Sequence, residues 1–269
     1  WLGLLSALIV PACWSGDFVV AEVVASGGSG GTNAAGTGNV AAGGSSTLPS
    51  DGGAAGAPTP DCSGNALFVV GDAMLTSGDS ALLDRLRGLG FVVSIISAAM
   101  VTTESTANTD FVFISRSVRS PEVMASFREQ PVPLFVTEYN LYASLGMTES
   151  VTTASGGDTL TSTELVINDA RHPLAAGLSG TVTVLTPGKG QYGFGVPGAG
   201  ASVVATLVDE PQGCAIFGYE QGAPMIGLTA PARRVGYFLD IQASTRLTSE
   251  GWALFDAAVK WTAGECAVP

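Results

Sequence analysis

Residues 66–72 read Ala-Leu-Phe-Val-Val-Gly-Asp, and this stretch decides the fold. Five apolar residues in succession, without polar alternation, mark a strand buried on both faces. Gly71-Asp72 ends it. Residues 80–89 (SALLDRLRGL) then set Leu82, Leu83, Leu86 and Leu89 on one helical face, with Arg85 and Arg87 turned away. Asp79 or Ser77 is placed to cap this helix, and Gly90 stands where a C-terminal glycine belongs. A second strand follows at 91–96 (FVVSII) and a third at 110–115 (DFVFIS). A helix opens at Pro121 and runs to about residue 129, and a fourth strand occupies 132–137 (VPLFVT). Apolar strands interleaved with helices predict an α/β fold, a doubly wound, mostly parallel sheet with helices on both faces.

After Gly146 the texture changes. Short β-rich pieces at 164–167, 181–185, 202–208, 214–219 and 234–240 are separated by Gly, Pro and Asp, which predicts an antiparallel extension of the sheet. A last helix over 249–262 carries Trp252, Leu254, Phe255, Ala258, Val259 and Trp261, a packing face.

The α/β domain takes 62–269. Residues 25–61 are rich in Gly, Ser, Ala and Pro and hold almost no large apolar side chain, so they cannot offset the entropy of ordering a backbone. They predict a disordered linker, stiffer at Pro58-Thr59-Pro60. Residues 1–24 begin WLGLLSALIVPACW, an apolar run of signal-peptide length, with the charged n-region expected ahead of Trp1. Val10-Pro11-Ala12-Cys13 resembles a bacterial lipobox, although Pro11 departs from the pattern. It implies an extracytoplasmic lipoprotein anchored at Cys13; plain secretion and a buried apolar helix are the alternatives.

The 23 acidic against 11 basic residues give a net charge of −12, of which −4 precedes Cys62 and −8 (19 acidic less 11 basic) follows. Such a chain is a poor ligand for nucleic acid or an anionic membrane surface, so any membrane contact is expected only through a lipid at Cys13. A single His and four scattered Cys do not supply the usual zinc ligand sets. The Gly-rich stretch 187–200 has neither Walker nor dinucleotide spacing, and no cofactor is expected. In a doubly wound fold the first strand starts, and an antiparallel final helix ends, at the same edge of the sheet. A Cys62–Cys266 disulfide is therefore reasonable, with Cys214 a buried thiol; three free thiols are the alternative.

The order ALFVVGD, helix, LGFVVSIIS, TDFVFISRS, VPLFVTEYN, then INDARHPLAAGL, YEQGA, PARRVGYF and LFDAAVKW resembles class I glutamine amidotransferase-like domains, closest to their ThuA-like, extracytoplasmic members. The resemblance runs over about 65–264 and implies a flavodoxin-like sheet with a β-rich insertion. In catalytic members a Cys stands on a sharp turn after a central strand, completed by a His and an acid, and backbone N–H groups receive the oxyanion. Here that turn reads Thr137-Glu138-Tyr139-Asn140, with no Cys. A serine nucleophile at Ser115 or Ser117 lacks the Gly-x-Ser-x-Gly elbow.

Ligands of such folds sit at the carboxyl ends of the strands, which makes Asp72, Ser97, Ser115, Arg116, Glu138, Tyr139 and Asn140 the candidate ligand-binding residues. Asp72 and Asp79 suit a turn and a helix cap; a metal site shared with Glu138, or an acid/base pair, is the alternative. Glu138 at the elbow needs a cationic partner if buried, from Arg116 or Arg233. His172, in the HPLAAGL stretch, joins Glu138 and Asp72 as a candidate catalytic residue, against a structural role before Pro173. The pair Arg233-Arg234 suits either an anion or pairing with Glu220 and Asp240. Three functions follow: a non-catalytic, tethered domain binding a small ligand, glycan or envelope protein; a sugar-directed hydrolase or isomerase using Glu138 with Asp72 or His172; and a structural envelope module.

Overall fold

The computed structural model describes residues 62–119, 123–149, 162–188, 192–264 and Cys266. The leader 1–24 with Cys13, the linker 25–61 and the helix start at Pro121 lie outside the described residues.

The described residues form an α/β domain around a nine-stranded sheet. Its first half contains β1 (Asn65–Val70), α1 (Ser77–Gly88), β2 (Val92–Ser97), β3 (Phe111–Ile114), α2 (Met124–Phe127) and β4 (Leu134–Val136). The second contains β5 (Glu164–Ile167), β6 (Gly180–Thr183), β7 (Ser202–Leu207), β8 (Cys214–Tyr219), the two-stranded hairpin β9 (Pro224–Met225) and β10 (Leu228–Thr229), then β11 (Arg234–Tyr237) and α3 (Ser249–Ala263). The strand order is β2-β1-β3-β4-β11-β8-β7-β5-β6. The first five are parallel neighbours, and from β11 onward every pairing is antiparallel. The parallel half has the flavodoxin-like order, with β11 in fifth place and the order reversing between β1 and β3.

β11 corrects one reading. Residues 234–240 stood among the antiparallel pieces, yet β11 is parallel to β4 on one side and antiparallel to β8 on the other. It joins the two halves, and the residues after it reach the same edge of the sheet as those after β1 and β3.

Side-chain alternation in the strands feeds two cores. Phe68, Phe113, Phe135 and Tyr237 point to one face, where Leu82, Leu83 and Leu86 of α1 and Leu254, Phe255 and Val259 of α3 cover them. Leu67, Val69, Val112, Ile114 and Val136 point to the other, under Phe127 of α2 and Leu141, Tyr142, Leu145 and Met147 after β4. Each of these side chains contributes about 1.5–3 kcal/mol of burial. Arg85 is not turned away from the fold: its Nε donates to Asp256 Oδ1 of α3 at 2.7 Å, and its guanidinium lies over Trp252 at 5.4 Å. β2 is the sheet's edge, so its apolar sequence is half wet: Val92 is 67% and Ile95 42% exposed.

α3 runs antiparallel to the parallel strands. Its Trp261 carbonyl accepts from Arg233 at the amino end of β11 (2.7 Å), and beyond it Cys266 is disulfide-bonded to Cys62, ahead of β1. Cys214 is not a thiol but is itself disulfide-bonded. No helix among the described residues is long and apolar enough to cross a membrane.

Candidate functional site

The carboxyl ends of β1, β3 and β11 enclose a cavity of about 490 Å³ at the β1/β3 switch point. Gly71, Asp72 and Met74 enter from the loop after β1, and Thr76 and Asp79 from the start of α1. Arg116, Ser117 and Arg119 come from the loop after β3, and Asp240 and Ile241 from the loop after β11. Two glycines hold these loops together. A Cβ on Gly71 would lie 2.0 Å from the Ser117 carbonyl oxygen, and one on Gly78 would lie 1.9 Å from that of Ile241. Only a residue without a side chain allows either approach.

Asp79 forms the floor. The cap of α1 is Thr76, not Asp79 or Ser77: Asp79 N–H donates to Thr76 Oγ1 at 3.0 Å, and Thr76 Oγ1 donates back to Asp79 Oδ2 at 2.8 Å. This reciprocal box puts a carboxylate, 1% exposed, at the positive end of the helix. Its other oxygen, Oδ1, accepts from the Ser115 hydroxyl and, at 3.2 Å, from the Ser117 hydroxyl. Ser117 Oγ accepts in turn from Gly71 N–H at 3.0 Å. Asp79 thus ties the loop after β1 to the loop after β3.

Arg116 forms the second wall, and Glu138 stands behind it. Glu138 follows β4, is 2% exposed and is ion-paired with Arg116. Its Oε1 accepts from Asn140 N–H at 2.9 Å. Burial pushes the Glu138 carboxyl above the usual carboxylate range, while Arg116 and Asn140 N–H pull it back. The Arg116 guanidinium also lies 4.5 Å from the Tyr139 ring centroid and donates to the Tyr139 hydroxyl at 3.3 Å. Its Nε is 3.8 Å from Asp240 Oδ1, an ion pair beyond hydrogen-bond reach, and has no hydrogen-bond partner among the described residues. Tyr142 pins the turn by donating to the carbonyls of Val136 (3.3 Å) and Tyr237 (3.1 Å). Burial raises its phenol far above the ordinary value.

This geometry sorts the candidates. Asp72 and Arg116 line the cavity; Ser115, Glu138 and Tyr139 support it from behind; Asn140 contributes its backbone N–H and exposes its side chain. Ser97, at the end of β2, does not line it. His172 is elsewhere. Its ring packs on Trp261 at 5.5 Å, at the amino ends of the parallel strands, and its Nδ1 accepts from Leu174 N–H at 3.2 Å to cap the turn Pro173–Ala175. Burial lowers its pKa. A dyad of His172 with Glu138 or Asp72 is therefore absent.

The Arg233-Arg234 pair divides. Arg233 Nε donates to Glu220 Oε2 at 2.8 Å, whereas Arg234 is fully buried and donates to the carbonyls of Val132 and Gln130, both at 2.7 Å. Burial lowers the Arg234 pKa to about 10. Asp240 faces Arg116 instead. The cavity residues the sequence reading missed are Met74, Thr76, Arg119, Asp240 and Ile241, each within six residues of the end of β1, β3 or β11. Reading outward from every parallel strand, the last one included, finds them.

The turn after β4 is occupied by its own contacts. The buried carboxylate at Glu138 is paired with Arg116, and the Asn140 N–H is taken up by Glu138 itself.

No family model matches the sequence, and no curated protein matches it. Among solved structures, one described as "Crystal structure of SMU.1228c" is similar at 12% identity and a TM-score of 0.44, covering 75% of this chain and 100% of that one.

Proposed function

We propose that the chain is a non-catalytic member of the class I glutamine amidotransferase-like domains, of their ThuA-like group. In this reading it works outside the cytoplasm and binds a small polar ligand, a glycan or an envelope protein. The observation that carries the binding reading is the cavity at the β1/β3 switch point. It is braced by Asp79 and by two glycine contacts, and it has volume for a mono- to disaccharide-sized ligand. The loss of catalysis is supported by the elbow, where the Arg116–Glu138 pair replaces a nucleophile.

A sugar-directed hydrolase or isomerase draws support from Glu138, whose burial-raised carboxyl suits a general acid. Both its oxygens are engaged, however, by Arg116 and Asn140 N–H, and His172 stands at the other end of the sheet.

A glycan array probed with the full chain and with Asp72→Ala tests these readings. The binding reading predicts capture by wild type and loss in the variant. Cleavage or isomerisation of a captured glycan supports the enzyme. No capture by either protein supports the structural envelope module.

A further inference from the structure

The cavity's polar groups are not equally available to a ligand. Asp79 has both oxygens engaged, by Ser115 and Ser117 on one and by Thr76 on the other. The Arg116 charge is matched by Glu138. Among the described residues Asp72, which is exposed, makes no ion pair, and Asp240 has only the 3.8 Å approach of Arg116 and the Gln242 N–H at 3.3 Å. Arg119 is the one exposed cation at the rim without an ion-pair partner among the described residues.

The formal balance follows. Asp72, Asp79, Asp240 and Glu138 give −4 and Arg116 and Arg119 give +2, so the site carries −2. The position where a flavodoxin-like sheet offers a helix N-terminus to a phosphate is already filled by the buried Asp79 carboxylate. An anionic ligand would meet that carboxylate and Asp72 at the same loop. Met74, 85% exposed, and Ile241 add an apolar lip above the polar floor.

We propose that this cavity takes a hydroxylated ligand bearing an amine, an amino sugar in chemical class, and rejects phosphorylated and carboxylated sugars. The amine sits between Asp72 and Asp240, the hydroxyls meet Ser117 and Arg119, and the apolar face of the ring lies against Met74 and Ile241. The proposal deepens the binding reading and rests on it.

Calorimetric titration of the full chain with glucosamine, glucose, glucuronate and glucose 6-phosphate tests it. Glucosamine is expected to bind about tenfold more tightly than glucose, the increment of one charge-assisted hydrogen bond. The two anions are expected not to bind. Asp72→Asn and Asp240→Asn should each bring glucosamine down to the affinity of glucose. Tighter binding of glucuronate or glucose 6-phosphate overturns the charge assignment but leaves a ligand-binding domain standing. A glucosamine preference that survives both substitutions places the amine elsewhere and overturns the proposal. Absence of binding by all four sugars overturns both the proposal and the small-sugar form of the binding reading.

Discussion

Replacing Arg116 with Met removes the charge that makes the buried Glu138 carboxylate tolerable. Removing one partner of a buried ion pair costs about 3–5 kcal/mol. The low end applies here, because Asn140 N–H still binds Oε1 and Arg116 is 18% exposed, so water can approach the vacated space. A loss of about 3 kcal/mol corresponds to a fall in Tm of about 6–12 °C for a domain of this size. The loss depends on pH with a definite sign. The folded-state pKa of Glu138 already lies above its unfolded value, so the associated stability is present at low pH and is lost as pH rises through the folded pKa. Arg116 opposes that rise, and its removal moves the pKa further up. The deficit should be largest near about pH 8 and should shrink towards about pH 5 as the carboxyl protonates. Thermal melts followed by circular dichroism at both pH values read this directly. Arg116→Met/Glu138→Gln should recover most of the loss at pH 8. A deficit of equal size at both pH values, or a double variant no more stable than the single one, refutes the reasoning.

Gly78→Ala forces a Cβ to within 1.9 Å of the Ile241 carbonyl oxygen, and overpacking of this kind should cost about 1–3 kcal/mol and weaken ligand binding together, read by melting and titration of the same variant. Cys62 and Cys266 close a loop across a separation of 204 residues, so the double Ser variant should lose about 3–5 kcal/mol in chemical denaturation. The lowered pKa of His172 means that the unfolded chain binds its proton more readily, so stability should fall as pH drops below the ordinary imidazole value of about 6.5. His172→Asn, which keeps a side-chain acceptor for Leu174 N–H, should flatten that slope and leave ligand binding at the far end of the sheet unchanged.

Some of this was legible in the residues and some was not, for physical reasons. The runs 66–70 and 111–114 announce strands buried on both faces because nothing polar interrupts them, and the leucine spacing of α1 announces its buried side. The identical apolar look of β2 misleads, because an edge strand and a central strand differ in their neighbours rather than in composition. The continuity of the parallel half through β11 was hidden for the same reason: pairing with β4 is a matter of topology. That one misplacement concealed Asp240 and Ile241. Glu138's need for a cation was readable from the cost of burying charge, and Arg116 was one of two candidates; which one supplies it depends on loop geometry. Thr76 rather than Asp79 as the cap shows that a cap can be missed by three residues when both members of a capping box are good cap formers. His172 shows that a lone histidine beside a proline serves a turn here.

The central claim is that the carboxyl end of the parallel half, between the loops after β1, β3 and β11, is where this chain binds its ligand. A crystal structure of the full chain soaked with glucosamine tests it most directly. The account predicts sugar density between Asp72, Ser117, Arg119 and Asp240, with the amine on the carboxylates. Sugar seated instead beside His172 and Trp261, at the opposite end of the strands, would contradict it.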